Sequence, residues 1–340
     1  MLAERKKLIL KALVESFLST GEPVGSKTLM NLEGLNCSSA TIRNDMADLT
    51  ASGYLTQPHT SAGRIATLKG CRYYIDNLMP YVPINPRLRD YIDAKLMKAG
   101  DTPEKILREA SLVLSEISGM AAVTTTPPSE DARIHRIRIV GIGRHTAMAI
   151  VVTTTGDVKS SLFRTSFIVT EEITRMFDMT LNRALGGVPL SEITRGFMQT
   201  LAASFKELAL FLPEVLIVIM EIAERAQITE LCISGAAKLL FMPELDPVLA
   251  RGAISFLTDT KNVARLLGKS KENRIYMGQE SGYPELSGVS AITLRYTIGG
   301  MPAGSIALFT PLRADYPQLI SLVKYTAEIV SSLIDELVDI

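Results

Sequence analysis

Apolar residues recur with helical spacing over residues 4–19, where Ile9, Leu13 and Phe17 fall four apart on one face. Gly21-Glu22-Pro23 breaks that pattern. A second, short helix is predicted over Lys27–Leu32, ending near Gly34, and a third opens on Ser38 or Ser39 as N-cap and stops at Gly53. Tyr54–Gln57 and Arg64–Thr67 then read as short strands around a Pro58–Gly63 turn. The predicted order is helix, helix, helix, hairpin.

Beyond this head the pattern changes twice. A proline-rich stretch near Tyr81–Pro86 reads as a linker, and a helix follows over Pro103–Ile117. Arg133–Gly141, Thr146–Thr153 and Val158–Phe167 alternate as strands, separated by the hairpin signals Gly143-Arg144-His145 and Thr155-Gly156-Asp157. Residues 171–227 return to helical spacing, broken at Gly186-Gly187-Val188-Pro189 and at Pro213. Leu231–Ser234 is a short strand, with more helix to about Leu267. Strands resume at Arg274–Met277, Val289–Tyr296 and Gly304–Phe309, and Pro317–Leu337 is a final helix with a wide apolar face. Strands on both sides of a helical block predict one antiparallel sheet domain with an insertion, since consecutive strands usually neighbour each other.

The third helix carries the chemistry. With Ile42 at the centre of its wheel, Met46 and Leu49 fall within about 40° and face the core. Ala40, Asn44 and Ala47 lie opposite, flanked by Thr41 and Arg43. A helix in the DNA major groove reads base edges from its N-terminal end. Asn pairs bidentately with adenine, Arg with guanine, and Thr meets a base or a phosphate. Small residues at 40 and 47 allow a close approach, while Ser38 and Ser39 cap a terminus whose free N–H groups favour a phosphate. From Leu49 to Ile75 there is no acid, but there are Arg64, Lys69 and Arg72, with His59 at the turn. That local positive charge is the footprint of phosphate contacts, and a hairpin after a recognition helix acts as a wing. The predicted DNA-binding set is therefore Ser38, Ser39, Thr41, Arg43 and Asn44 on the helix, the turn residues His59, Thr60 and Ser61, and Arg64 and Lys69.

Composition narrows the alternatives. The 340 residues are 47% hydrophobic and 21% charged, a folded chain of two or three domains. Lys+Arg and Asp+Glu balance at 36 each, so only local charge points to a partner. Cys37, Cys71 and Cys232 are scattered and odd in number, which predicts neither a disulfide framework nor a zinc site. Glu4 and Glu15 argue against a signal peptide, and the aliphatic run at Val215–Met220 is far short of the roughly 20 residues that span a bilayer. A cytoplasmic protein without a membrane partner is expected. Gly141-Ile142-Gly143 lacks a third glycine and a following helix, so it reads as part of a hairpin rather than a nucleotide loop. His59, His135 and His145 have no metal-ligand spacing. No nucleophile elbow, Walker motif or carboxylate pair stands out, and neither an enzyme nor a cofactor or metal site is expected.

Four segments resemble the family of heat-inducible transcription repressors called HrcA: "ERKKLILKALVESFLSTGEPVGSKTL", "SSATIRNDMADLTASGYLTQPHTSAGRIATLKG", "RYYIDNLM" and "VSAITLRYTIGGMPAGSIALFTPLRADYPQLISLVKYTAEIV". The run "GYLTQPHTSAGRI" is the most specific. The resemblance implies an α+β multidomain protein with a winged helix-turn-helix head over 1–80, a linker over 81–100, a GAF-like antiparallel sheet domain with helices from 101–168 and 272–340, and a mainly helical dimerisation domain inserted at 169–271. It also implies a homodimer on an inverted-repeat, double-stranded DNA operator (CIRCE) upstream of chaperone operons, with the GroE chaperonin as the partner that keeps the repressor active. Ala66 stands where the family usually has proline, and Cys71 where it usually has an aromatic residue. The competing expectation is a metabolite-sensing regulator that uses the GAF-like pocket, since fold does not fix function.

Overall fold

Helix α1 (Glu4–Thr20) buries Ile9, Leu10, Leu13 and Val14 and ends on Gly21, whose φ of 75° lets its N–H reach the Phe17 carbonyl at 2.8 Å. Helices α2 (Ser26–Leu29) and α3 (Ser39–Ala51) pack on it. Strands β1 (Leu55–Thr56) and β2 (Ile65–Ala66) form an antiparallel pair, with Leu55 opposite Ala66 and Thr56 opposite Ile65. Val24 adds a third rung by bridging Arg64, with both N–H···O contacts at 2.9 Å. That approach needs Gly63, because a Cβ there would stand 2.4 Å from the Val24 carbonyl oxygen. Helix α4 (Leu68–Asn77) returns across the bundle, capped by Thr67 and buried at Cys71 and Tyr74. The computed structural model describes residues 2–30, 37–59, 62–100, 102–126, 132–154, 158–204, 212–226, 230–268 and 273–337. The predicted end of the second helix at Leu32 falls outside them.

The chain forms two compact units. The first is built from residues up to Thr124, from Cys232–Tyr296 and from Ser305–Leu333. Besides the head it holds α5 (Pro86–Leu96), α6 (Pro103–Ser118) and a five-stranded sheet. In order across that sheet run β7 (Leu231–Ser234), β3 (Ala121–Thr125), β10 (Met301–Pro311), β9 (Val289–Ile298) and β8 (Arg274–Met277). Ile306 of β10 pairs with Thr124 of β3, and β8 pairs antiparallel with β9. Thr124 Oγ1 donates to the Leu107 carbonyl of α6 at 2.8 Å, which fixes α6 on one face. Ser305, one residue out of step with Ile306, faces the other side and reaches the Leu267 carbonyl of α11 (Thr260–Gly268). Phe309 meets Phe256 of α10 (Pro247–Thr258) on that same side. Both faces of β10 are therefore covered, which explains why Ala303–Pro311 is buried at every position rather than alternating. The last helix, α12 (Tyr316–Leu337), buries Leu322, Val323, Ala327 and Val330, and its Tyr325 hydroxyl donates to Asp93 of α5 at 2.7 Å.

The second unit is built around Thr125–Leu231, an insertion between β3 and β7, which are neighbours in the first sheet. Its two strands of entry and exit are zipped together, Thr126 N–H to the Glu230 carbonyl at 3.0 Å and Glu230 N–H to Thr126 Oγ1 at 2.9 Å. Strands β4 (Ile134–Gly143), β5 (Thr146–Thr153) and β6 (Val158–Arg164) form a separate antiparallel sheet in that order. Its inner face, with Ile137, Ile139, Ala149 and Val151, packs on Phe177 and Leu181 of α7 (Glu171–Leu185) and on Val215, Ile219 and Ile222 of α9 (Leu212–Ala226). Helix α8 (Arg195–Ser204) lies against α9. α7 also closes the outer edge of β4. Asn182 accepts from the Ile137 N–H and donates to its carbonyl, and Asp178 accepts from the Ile139 N–H at 2.7 Å.

Three readings of the sequence change here. The strands within 133–167 do not extend one sheet shared with 274–309; they pair among themselves, and β3, which was not predicted, takes the place beside β10. The inserted compact unit is accordingly 125–231 rather than 169–271. The stretch read as a linker, 81–100, contains helix α5, begun by Asn85 as cap and Pro86 at the first helical position. Alternation along a strand reports which face is buried and leaves its pairing partner open.

Candidate nucleic-acid interface

The outward face of α3 stands as the wheel predicts. Ile42, Met46 and Leu49 are buried, while Ala40, Arg43, Asn44 and Ala47 are exposed and Thr41 is half-buried. Ser38 is the N-cap: its Oγ accepts the Thr41 N–H at 3.2 Å and lies 3.0 Å from Thr41 Oγ1. Ser39 does different work. Its Oγ lies 2.9 Å from that of Ser26, the first residue of α2, so it ties the two helices together at their turn. Of the five predicted helix residues, Arg43 and Asn44 are exposed and their side chains make no hydrogen bond or ion pair among the described residues, while Ser38, Ser39 and Thr41 are engaged in building the helix start.

The wing residues occupy the other end of the helix. Arg64 Nε donates to Thr50 Oγ1 at 3.1 Å, and Lys69 Nζ donates to the Ser52 carbonyl at 2.8 Å while lying 4.6 Å from the centre of the Tyr54 ring. A cation on the last carbonyls of α3 complements the negative end of its dipole. His59 is exposed on the turn, its carbonyl accepting from Ala62 at 2.9 Å. Thr60 and Ser61 lie outside the described residues. Gly70 allows α4 to pass the strand, since a Cβ there would stand 2.2 Å from the Tyr54 carbonyl.

Arg72 leaves the predicted basic footprint. It forks onto Glu280, donates to the Ile275 carbonyl at 2.6 Å and reaches Asp76 at 3.4 Å. Burial works to lower its pKa, but the hydrogen bond and charge of Glu280, with Asp76, outweigh it and leave it raised. The charge that remains on and beside the hairpin is that of Arg64 and Lys69.

An ion pair with one buried partner, which the sequence reading passed over, ties α3 to α1. Asp45 is 4% exposed, and Arg5 of α1 donates to both of its oxygens through Nε and Nη2. That hydrogen bond, and then the charge of Asp45, raises the Arg5 pKa. The signal was present: an acid about 60° from Ile42 on the wheel borders the buried stripe and requires a partner. Lys6 adds an exposed bond to Asp48 at 2.8 Å. Behind these, burial pushes the Cys71 thiol up to about 11, and the Tyr74 hydroxyl donates to Glu15 at 3.2 Å. No described helix is long and apolar enough to cross a membrane, and among the described residues no three His, Cys, Asp or Glu converge as a metal site.

Comparison with known proteins bears on this arrangement. Residues 104–320 match the family model for the HrcA protein C terminal domain. The chain is similar to the heat-inducible transcription repressor HrcA of Symbiobacterium thermophilum, 33% identical over 98% of this chain and 99% of that one. The repressors of the same name from Acetivibrio thermocellus and Syntrophobacter fumaroxidans are 30% and 32% identical, over 95% and 98% of this chain and 94% and 98% of theirs. A solved structure described as a hypothetical protein shares the fold with a TM-score of 0.59 at 23% identity, covering 99% of this chain and 100% of that one.

Proposed function

This chain belongs to the HrcA family of heat-inducible transcription repressors, and from that premise we propose that residues 1–80 are a winged-helix head that reads an inverted-repeat operator as part of a homodimer. The observation that carries the reading is the face of α3, where Arg43 and Asn44 stand exposed beside two alanines on a helix anchored at both ends. From Thr41 to Ser52 the helix rises roughly 16 Å. Base-reading groups at one end and the cations of Arg64 and Lys69 at the other therefore suit a helix lying in a groove about 12 Å wide with phosphates at its rim. One head covers a half-site, and a two-fold protein matches a two-fold operator. The five-stranded unit serves as a GAF-like body, and the inserted unit carries the dimer contact, with its helices α7, α8 and α9 as the first place to look.

Repression regulated by folding completes the reading. Heat creates unfolded clients that occupy the GroE chaperonin, less repressor is refolded, and chaperone genes are released by mass action. The family resemblance supports this link. Selection of bound DNA from a random pool tests the core of the proposal: an inverted repeat is the expected product, and a single half-site or no enrichment overturns it. Operator binding with GroE and ATP, with and without excess unfolded client, tests the rest. The active fraction rises with GroE and falls back with client; a fraction already complete without GroE removes the chaperonin from the mechanism.

A further inference from the structure

Among the described residues the three-stranded sheet has one edge closed and one edge open. On the β4 side, Asn182 and Asp178 of α7 bond the outward peptide groups of Ile137 and Ile139. On the other side β6 is the last strand and, among the described residues, pairs with β5 alone. An edge strand is a template for further pairing, and proteins guard such edges with proline, bulges, inward charges or cover. β6 reads VKSSLFR: seven residues, no proline, in unbroken register with β5 from Val158 to Arg164. Lys159, the residue placed to guard it, is drawn into an ion pair with Glu230.

The outer face of the strand points the same way. Val158 and Leu162 are 59% and 64% exposed. They continue two rows across the sheet, Val158 beside Val152 and Leu162 beside Met148 and then Val140. Two large apolar side chains thus stand in solvent at the rim of an open edge.

We propose that β6 pairs antiparallel with β6 of a second copy, across a two-fold axis through Ser161, so that one sheet of six strands runs through both molecules. This rests on the dimer reading and moves the contact from the helical block to a strand that precedes it. The register is self-complementary. Val158 faces the partner's Arg164, Lys159 faces the partner's Phe163, and Ser160 faces the partner's Leu162. No like charges stand opposite each other, and the two Leu162 side chains become diagonal neighbours beside the axis, where each covers the other. Such a contact is isologous and closed, as a dimer on an inverted repeat requires.

Complementary charge variants of the full chain test it. In this register S160E/L162E sets carboxylate against carboxylate at two places, and S160K/L162K sets ammonium against ammonium. Light scattering should show each variant alone associating about ten-fold more weakly than wild type, and an equimolar mixture forming a one-to-one dimer. Melting curves like that of wild type accompany that result. As a milder probe, S161C places two thiols on the axis, where antiparallel partners have Cα atoms about 4.5–5.5 Å apart, within disulfide range. Oxidation should give a covalent dimer that the parent, with its own three cysteines, does not give. Charge variants that dimerise alone as wild type does, a mixture that stays monomeric, or an S161C protein that does not cross-link overturns the proposal while the dimer reading stands. A monomeric wild type overturns both.

Discussion

Arg5 of α1 donates through Nε and Nη2 to the two carboxylate oxygens of Asp45 of α3, and the two partners differ sharply in burial, with side chains 53% and 6% exposed. The asymmetry predicts which partner matters more. Asp45→Ala leaves a guanidinium that solvent can rehydrate, whereas Arg5→Ala leaves a carboxylate buried without its cation. Arg5→Ala should therefore lower the urea midpoint more than Asp45→Ala. The reverse order would mean that Asp45 is satisfied by groups other than Arg5.

Base reading should depend on the two exposed polar side chains of α3. Asn44→Ala and Arg43→Ala are each expected to cost about 1–3 kcal/mol of operator binding and to relax base preference. Thermal stability should barely change, since both side chains point outward. A variant that binds the selected operator as tightly and as selectively as wild type removes that residue from the reading face.

Arg64 combines a charge with an anchoring bond to Thr50. Arg64→Ala should weaken binding to all sequences alike and reduce the slope of log affinity against log salt by about 1. Arg64→Lys keeps the charge and loses the Nε bond, so the slope should persist while affinity falls. Titration at several salt concentrations separates the two terms; an unchanged slope in Arg64→Ala would exclude a phosphate contact.

Arg72 should behave in the opposite way. Its guanidinium is committed to Glu280, Asp76 and the Ile275 carbonyl. Arg72→Ala should lower stability by roughly 1–3 kcal/mol, the scale of lost charge-assisted hydrogen bonds, and leave the salt slope of DNA binding as it is. A slope that drops by about 1 would restore Arg72 to the phosphate contacts.

Cys71 gives a pH signature. Burial holds its thiol protonated up to about 11, against an ordinary value of 9.0. Above pH 9 the unfolded chain therefore binds fewer protons than the folded one, and stability falls as pH rises. Between pH 9 and 10 the Cys71 contribution approaches about 1 kcal/mol. Tyr325, raised to about 12 by burial and then by Asp93, adds a decline of the same sign at higher pH. Denaturant melts of wild type and Cys71→Ala at pH 8, 9 and 10 should diverge in slope. Parallel curves would show that the thiol is hydrated in the folded head.

The sequence by itself determined the local elements of this protein and the side each one hides. Helical spacing around Ile42, Met46 and Leu49, the Ser38 cap, the stop at Gly53 and the hairpin turn are near-neighbour properties, set by backbone sterics and by hydrogen bonds within a few residues. That was enough to place Arg43 and Asn44 in solvent. Tertiary structure alone decided what lies against each hidden side. β3 sits beside β7 although an entire compact unit separates them in the chain, and β4–β6 keep to a sheet of their own. Arg72, which reads in sequence as one more cation of the wing, is claimed by Glu280, 208 residues away. Asp45 reads as a helix acid until Arg5 is found 40 residues earlier. The physical reason is common to all three. A residue pattern records the burial of a face, whereas the choice of partner is made by packing between distant segments, and closing a longer loop adds only about 0.6 kcal/mol per doubling of its length, too little for sequence separation to single out the partner.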